Sequence, residues 1–118
     1  MAILYRCSIK KVAELLKGTL DLLILRTLSQ GPNHGLGIAR RIGQVTRGEL
    51  DVKPGSLFPA LYRLEERGWL ISAPGRDGTH PRAKLYKLTQ AGRKQIATET
   101  ASWSRIAEAM ARVIEETS

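Results

Sequence analysis

Basic side chains are concentrated in the middle of this sequence. Residues 53–94 contain nine Lys and Arg against three Asp and Glu, a net charge of +6, whereas residues 95–118 carry a net charge of −2. The whole chain of 118 residues has a formal net charge of +8. A positive field of this size favours polyanionic partners such as nucleic acid. The chemistry available to the central segment is therefore the neutralisation of phosphates, with polar side chains nearby to read base edges.

The candidate contact residues are cations for phosphates and polar side chains close to them in the sequence. Ser56, Tyr62 and Arg63 are expected on or near the side of their helix that faces away from a leucine stripe, where they can reach base edges or adjacent phosphates. The full set of candidate DNA-binding residues is Lys53, Ser56, Tyr62, Arg63, Arg76, His80, Arg82 and Lys84. The alternative is an ordinary solvated surface, and a run of charge alone does not decide between the two.

Catalytic and metal-binding patterns are missing from the sequence. The segment Gly35-Leu36-Gly37 lacks the third glycine and the preceding strand of a dinucleotide fingerprint, and there is no carboxylate pair, nucleophile elbow or phosphate loop. The single cysteine and two histidines lie too far apart in sequence to suggest a metal site. We therefore expect no enzyme activity and no cofactor.

Cysteine usage and hydropathy indicate the compartment. Cys7 is the only cysteine, so an intrachain disulfide is excluded and a reducing environment fits. No apolar run approaches the roughly 20 residues that a membrane span requires, and the first residues lack the order of a secretory signal. We expect a cytoplasmic protein without a membrane partner.

Three helices are expected to position the first half of the basic segment. Residues 15–29 carry the dense Leu and Ile pattern of a buried helix, and residues 33–44 predict a shorter second helix with Asn33 as its cap. After a polar turn, leucines at i, i+4 and i+7 starting at Leu57 predict a third helix over residues 54–67. If Ser56 caps this helix, Pro59 falls at the third helical position, where it removes no intrahelical hydrogen bond.

A hairpin and a long helix complete the chain. The β-prone stretches 69–73 and 84–88 flank a tip rich in Gly and Pro, which predicts a hairpin, and a helix from Thr89 to Glu116 is expected to follow. This last helix carries an apolar seam that consists of Ile96, Trp103, Ile106, Met110 and Val113. A helix of this length on so small a domain needs a partner to bury its seam, and a second copy of the chain is the economical partner.

The order of elements predicts a fold that is mainly α with a small β-hairpin, namely a winged helix-turn-helix plus a long C-terminal dimerisation helix. In this fold the third helix enters the major groove and the hairpin, or wing, lies along the backbone or minor groove. The sequence divides into an N-terminal extension (1–14), a DNA-binding domain (15–89) and the dimerisation helix (90–118).

The residues also resemble a known family, the PadR transcriptional regulators. The resemblance covers roughly residues 14–118 and is carried by four stretches, of which the run from Pro54 to Gly68 is the most specific. The other three stretches are Leu15–Leu25, His34–Ala39 and Lys84–Thr89, followed by Gly92. Leu36 departs from the Tyr that the family commonly has there, and residues 1–13 have no counterpart.

The resemblance implies a dimeric winged-helix repressor of the family's smaller size class. In some members of that class, a tryptophan on the last helix stacks on flat aromatic drugs at the dimer interface, and Trp103 stands at that place here. The resemblance thus names an aromatic small molecule as an effector, although the ordinary role of such a tryptophan is packing.

The expected function is sequence-specific binding of double-stranded DNA by a homodimer on an inverted-repeat operator, with repression of transcription. Two alternatives stay open: a winged-helix module that binds a protein partner, and a DNA binder without sequence preference. Salt dependence and competition between duplexes distinguish the three.

Overall fold

The computed structural model describes residues 18–74 and 84–117, in which four helices pack with a small antiparallel sheet. Helix α1 covers residues 18–28 of the described chain. The elements that follow are β1 (Asn33–His34), α2 (Gly35–Val45), α3 (Pro54–Glu66), β2 (Leu70–Ala73), β3 (Leu85–Leu88) and α4 (Gln90–Thr117). The prediction of a mainly helical winged helix-turn-helix with a long last helix is confirmed. The N-terminal extension 1–14 and the wing tip 75–83 lie outside the described residues.

The core lies between the first three helices and the sheet. Leucine periodicity in α3 predicts its buried face, and Leu57, Leu61 and Leu64 are all 0% exposed. They pack with Ile24 and Leu25 of α1, which are also 0% exposed, in one apolar cluster. Burial of a Leu or Ile side chain stabilises the fold by about 1.5–3 kcal/mol, so these side chains fix how α3 lies against α1.

Helix α3 begins one turn earlier than a Ser56 cap would allow. Lys53 is the N-cap residue, and its carbonyl oxygen accepts the Ser56 and Leu57 amides at 3.0 and 2.9 Å. The expectation that Ser56 caps the helix is therefore wrong, because Pro54 with its fixed φ already starts it. Pro59 is consequently the sixth helical residue, not the third, and the Gly55 carbonyl loses its i+4 donor.

The sheet has one more strand than the hairpin. The strand order is β1-β3-β2, with Leu70 opposite Leu88 in the hairpin and His34 opposite Leu85 on the other side of β3. Asn33 therefore belongs to a strand and does not cap α2, whose N-cap residue is His34. The Asn33 side-chain oxygen instead accepts the His34 backbone amide at 2.8 Å.

Helix α4 starts on the wing and extends away from it. Its 28 residues span about 42 Å, and the molecule measures 54 Å along its longest axis. Gly92 in the first turn is buried against the start of β2, whereas every described side chain from residue 108 onwards is exposed. None of the helices in residues 18–74 and 84–117 combines the length and apolarity of a membrane span.

Thr89 joins the wing to α4 by two hydrogen bonds. Its hydroxyl donates to the Gly68 carbonyl at 2.7 Å and accepts the Gly92 amide at 3.0 Å, as an N-cap residue does. We expect Thr89→Ala to lower the free energy of unfolding by about 1–2 kcal/mol, since both bonds are lost. Urea denaturation measures this, and Thr89→Ser is the control that keeps the hydroxyl. Equal destabilisation by both substitutions would contradict the capping role.

Candidate nucleic-acid interface

Polar side chains are exposed along the outward surface of α3 and just before its N-terminus. Tyr62 is 65% exposed, and Ser56 is exposed two turns before Arg63. Lys53, just before the helix, is exposed and forms a 2.5 Å ion pair with the exposed Asp51. There is no acidic residue in the first turn of α3, so the positive end of the helix dipole is uncompensated and favours an anion such as phosphate.

Tyr62 is equipped to act as a hydrogen-bond donor. A hydrogen bond to the Glu66 carboxylate, one turn further along α3, raises the pKa of the Tyr62 hydroxyl. A phenol is protonated at physiological pH even at its ordinary pKa, so Tyr62 can donate a hydrogen bond. A phosphate or base acceptor that approached Tyr62 would have to displace Glu66, whose negative charge also repels phosphate.

A groove of about 460 Å³ separates α3 from the wing strands. Helix α3 contributes Tyr62 and Glu65 to its wall, and β3 with the residue before it contributes Tyr86 and Lys84. The complete lining is Pro54, Gly55, Phe58, Tyr62, Glu65, Lys84 and Tyr86. The groove places the exposed Lys84 on the same surface as Tyr62, although 22 positions of sequence separate them.

The wall of this groove is tied to the sheet. The Ser72 hydroxyl of β2 donates to the Glu65 carboxylate at 2.8 Å. Tyr86, opposite Ser72 in the sheet, is 6% exposed, and its pKa is raised by burial and by the nearby Glu65 charge. The carbonyl of Lys84 lies 3.3 Å from the His34 ring nitrogen Nδ1. Helix α3 and the base of the wing therefore keep a fixed spacing.

Arg63 is less exposed than Tyr62 and points towards α1. Its guanidinium nitrogen Nη2 lies 3.0 Å from the Asp21 carboxylate of α1, and the side chain is 28% exposed. The leucine stripe orients the Cα–Cβ bond of Arg63 away from the core, but the long side chain turns sideways towards a buried charge. The structure places Arg63 in the contact between α1 and α3, and its role in DNA contact stays a prediction.

Three of the candidate contact residues are on the wing tip. Arg76, His80 and Arg82 lie outside the described residues, so their role in DNA contact stays a prediction. Among residues 18–74 and 84–117, Lys53, Ser56, Tyr62 and Lys84 are all exposed, and the structure brings Tyr62 and Lys84 together along the groove between α3 and the base of the wing.

Sequence reasoning omitted the arginines of α2 and the turn after it. Arg40, Arg41 and Arg47 are exposed, and the first helix of a helix-turn-helix crosses the DNA backbone. Arg47 has a φ of 55°, a conformation that costs a non-glycine residue about 1 kcal/mol or more. The signal for these residues is a run of cations in the helix before the recognition helix. Across both described ranges, no three His, Cys, Asp or Glu side chains are grouped closely enough to hold a metal ion.

The second surface of interest is an apolar strip on α4, which we define as Trp103, Ile106, Met110, Val113 and Ile114. Trp103 is 47% exposed, Met110 is 56% exposed, and both Val113 and Ile114 are 62% exposed. The distal part of the strip lines a shallow apolar groove of about 350 Å³. Sequence reasoning had found four members of this strip and missed Ile114, which follows Met110 by one helical turn.

Ile96 does not belong to this strip. It is partly buried and packs against the core cluster of its own domain, and its place in the dimer seam stays a prediction. Ile96 lies seven residues before Trp103 and therefore on the same side of α4. The surroundings of that side differ along the helix. Near residue 96 it faces the winged domain, whereas after residue 107 no described side chain of α4 is buried.

Comparison with known proteins identifies the family. The profile described as the transcriptional regulator PadR-like family matches residues 24–98. The chain belongs to the PadR-like family of transcriptional regulators. The resemblance carried by its sequence is thereby confirmed, and the family is one of regulators rather than enzymes.

Solved PadR-like structures share the fold. A transcriptional regulator from Clostridium thermocellum superposes with a TM-score of 0.74 at 25% identity, covering 84% of this chain and 93% of that one. The PadR protein of Bacillus subtilis, solved in complex with operator DNA, has a TM-score of 0.60 at 24% identity, covering 68% of this chain and 45% of that one. That second likeness concerns the fold alone.

A sequence relative occurs within a larger protein. A 37.1 kDa protein in transposon TN4556 of Streptomyces fradiae is 37% identical over 86 residues, which cover 73% of this chain. The chain spans 23% of the length of that relative. The PadR-like domain thus forms only a part of that protein.

Proposed function

We propose that this PadR-like regulator is a homodimeric repressor that binds an inverted-repeat operator in the cytoplasm. Two copies of α3 enter successive major grooves about 34 Å apart, and the two wings lie along the backbone or minor groove. The observation that carries the proposal is the common surface of Tyr62 and Lys84 across the α3–wing groove, at an uncompensated helix N-terminus. Bacillus subtilis PadR, which has a related fold and was solved in complex with operator DNA, supports DNA binding as the function.

Some of the proposed DNA contacts position the protein on the phosphate backbone, and others recognise the base sequence. Lys53, Lys84 and the exposed arginines of α2 neutralise phosphates, and each phosphate neutralised releases a counterion. Ser56 and Tyr62 lie nearer the part of α3 that enters the groove and supply hydrogen-bonding groups to bases or adjacent phosphates. The wing cations Arg76 and Arg82, with His80, extend the phosphate contacts.

Dimerisation uses the apolar strip of α4. The strip has four exposed large apolar side chains and the half-buried Ile106, which a partner helix would cover, and the chain's own second copy supplies an identical strip. Trp103, at its end nearest the winged domain, retains 47% exposure, so an aromatic effector can stack on it between the two copies. The effector releases DNA by favouring a dimer in which the spacing of the two α3 helices no longer matches the operator.

A competition mobility-shift assay tests the function. The wild-type protein first selects duplexes from a random-sequence library, and its affinity is then measured for a selected duplex and for a shuffled duplex of the same composition. We expect a preference of at least about a thousandfold for the selected duplex, and an affinity that falls by about a thousandfold or more between 50 and 200 mM salt. Salt-dependent binding without preference would indicate a sequence-indifferent binder, and absence of binding would favour a protein partner.

Two variants separate the two kinds of contact in the same assay. Tyr62→Ala is expected to weaken binding to the selected duplex more than to the shuffled one, because Tyr62 lies on the outward face of α3. Lys84→Ala is expected to weaken binding to both duplexes alike and to reduce the slope of log affinity against log salt by about one. Equal behaviour of the two variants would contradict the assignment of α3 and wing.

A further inference from the structure

Asp21 of α1 is buried against the recognition helix. It is 4% exposed, and no other ionisable side chain in the described ranges is as buried. One carboxylate oxygen lies 3.0 Å from Nη2 of Arg63, and the other lies 3.9 Å from Nη1 of Arg67. Because Arg63 and Arg67 are one turn apart on α3, a single carboxylate contacts two successive turns of the recognition helix.

Arg63 and Arg67 differ in the contacts that they make besides the one with Asp21. The Arg67 guanidinium also lies over the Trp69 ring, 5.1 Å from its centroid. The Nε atom of Arg63 is buried and has no hydrogen-bond partner among the described residues. The only ion pair of Arg63 in the described chain is the one with Asp21, so its position depends on that carboxylate.

Stability alone does not account for this cluster. The pKa of Asp21 is raised: burial is the largest cause, Arg63 and Arg67 oppose it, and the charge of Glu99 adds to it. A carboxyl whose pKa is raised by folding favours the folded state when it is protonated, and that contribution is lost as the pH rises through the folded-state pKa. Ionised Asp21 is thus a net cost at neutral pH, as is common for buried ion pairs, and what it provides is a defined geometry between α1 and α3.

Helix α4 presents a second carboxylate to the same end of α1. Glu99 places its Oε2 atom 3.8 Å from where a Cβ at Gly18 would lie, and Gly18 is one turn before Asp21 on the same side of α1. The charge of Glu99 adds to the upward shift of the Asp21 pKa. Gln95 orients Glu99 by donating its side-chain amide to Oε1 at 2.9 Å.

We propose that Asp21 is a positioning residue for the recognition helix and that Glu99 is the residue through which α4 adjusts it. When α4 moves Glu99 closer to Asp21, repulsion weakens the hold of Asp21 on Arg63 and Arg67, and α3 is less firmly oriented. When Glu99 moves away, the hold becomes stronger. This inference rests on the proposed DNA-binding function and adds the residues that connect the strip-bearing helix α4 to α3.

The test compares three variants and one double variant on the selected and shuffled duplexes. Asp21→Asn keeps the shape but removes the charge, and we expect its affinity for the selected duplex to fall about tenfold, with the shuffled duplex changed by less than about twofold. Glu99→Gln keeps an acceptor for Gln95, and we expect it to raise the ratio of the two affinities about threefold. In the Asp21→Asn background, Glu99→Gln is expected to leave that ratio unchanged.

Glu108→Gln is the matched control, because it removes the same charge from an exposed position of α4 whose nearest cation is Arg112, at 3.9 Å. It should change both affinities equally and leave their ratio unchanged. Thermal unfolding of each variant provides the readout of structure, and we expect Asp21→Asn to melt close to the wild type.

Several outcomes would overturn the inference. If Asp21→Asn lowered the melting temperature and weakened the affinity for both duplexes equally, Asp21 would have only a structural role. Glu99→Gln could change the affinity ratio equally in the wild-type and Asp21→Asn backgrounds, or Glu108→Gln could change it as much. Either result would mean that the Glu99 carboxylate acts by repelling DNA directly. If Asp21→Asn does not fold, an unchanged ratio in Glu99→Gln alone rejects the coupling. Failure of the wild type to select any duplex refutes the proposed function itself, which is a separate result.

Discussion

Met110→Glu is expected to convert the dimer into a folded monomer and to weaken binding to the selected duplex by at least about a hundredfold. Met110 lies in the middle of the apolar strip and is 56% exposed in the single chain. A carboxylate there leaves the monomer intact, but dimerisation would bury it without a partner, at a cost of several kcal/mol. Two linked DNA-binding domains gain about 10²–10⁴ in affinity over one, and this gain is lost with the dimer.

Sedimentation equilibrium gives the mass, circular dichroism gives the helix content, and the mobility shift gives the affinity of this variant. Ser104→Glu is the control, because it adds the same charge to an exposed position on the other side of α4. It should remain a dimer and bind the selected duplex nearly as the wild type does. A Met110→Glu protein that stayed dimeric would exclude the apolar strip as the interface and leave the spacing of the two α3 helices without a basis.

Local patterns in the sequence predict the helices and hairpin well. The leucines of α3 recur with helical period, and their complete burial follows because the period decides which side faces the core. The two-residue strand β1 carries no such pattern. It exists because β3 offers a free edge to residues distant in sequence, which no short window of sequence can indicate.

The ion pair of Arg63 with Asp21 is likewise not readable from a local pattern. Helical spacing predicts the direction of a Cα–Cβ bond, but a long cationic side chain ends where its counter-charge lies. The signal that could have found this contact is Asp21 itself, which occupies the buried side of α1 at i−3 from Ile24 and i−7 from Leu28. A carboxylate on the apolar side of a helix requires a cation from another element.

The apolar seam of α4 illustrates a further limit. Ile96 and Trp103 lie seven residues apart and hence on the same side of a helix, yet Ile96 packs on its own domain and Trp103 is nearly half exposed. Hydrophobic periodicity indicates that a side chain is buried by some surface, but it does not indicate which surface buries it. The contacts of Gly92 in the first turn and of Ile96 one turn later both hold α4 against the winged domain before the helix leaves it.

Gly92→Ala is expected to lower the free energy of unfolding by about 3 kcal/mol and the melting temperature by about 10 °C. A Cβ at this position would collide with the Trp69 carbonyl oxygen and would lie 2.7 Å from Cδ1 of Leu88. The carbonyl cannot move freely, because it accepts the Thr89 amide at 3.1 Å. The first turn of α4 must therefore shift away from β2, and the shift is carried along the whole helix to the apolar strip.

Gly55→Ala is the matched control for this substitution, because nothing lies within 4 Å of its Cβ position in α3. Alanine there should leave stability unchanged or raise it by up to about 1 kcal/mol through helix propensity. Differential scanning calorimetry on both variants measures the difference. If Gly92→Ala were as stable as Gly55→Ala, α4 could tilt on the wing at little cost, and the contact at Gly92 would not fix the direction in which α4 leaves the winged domain.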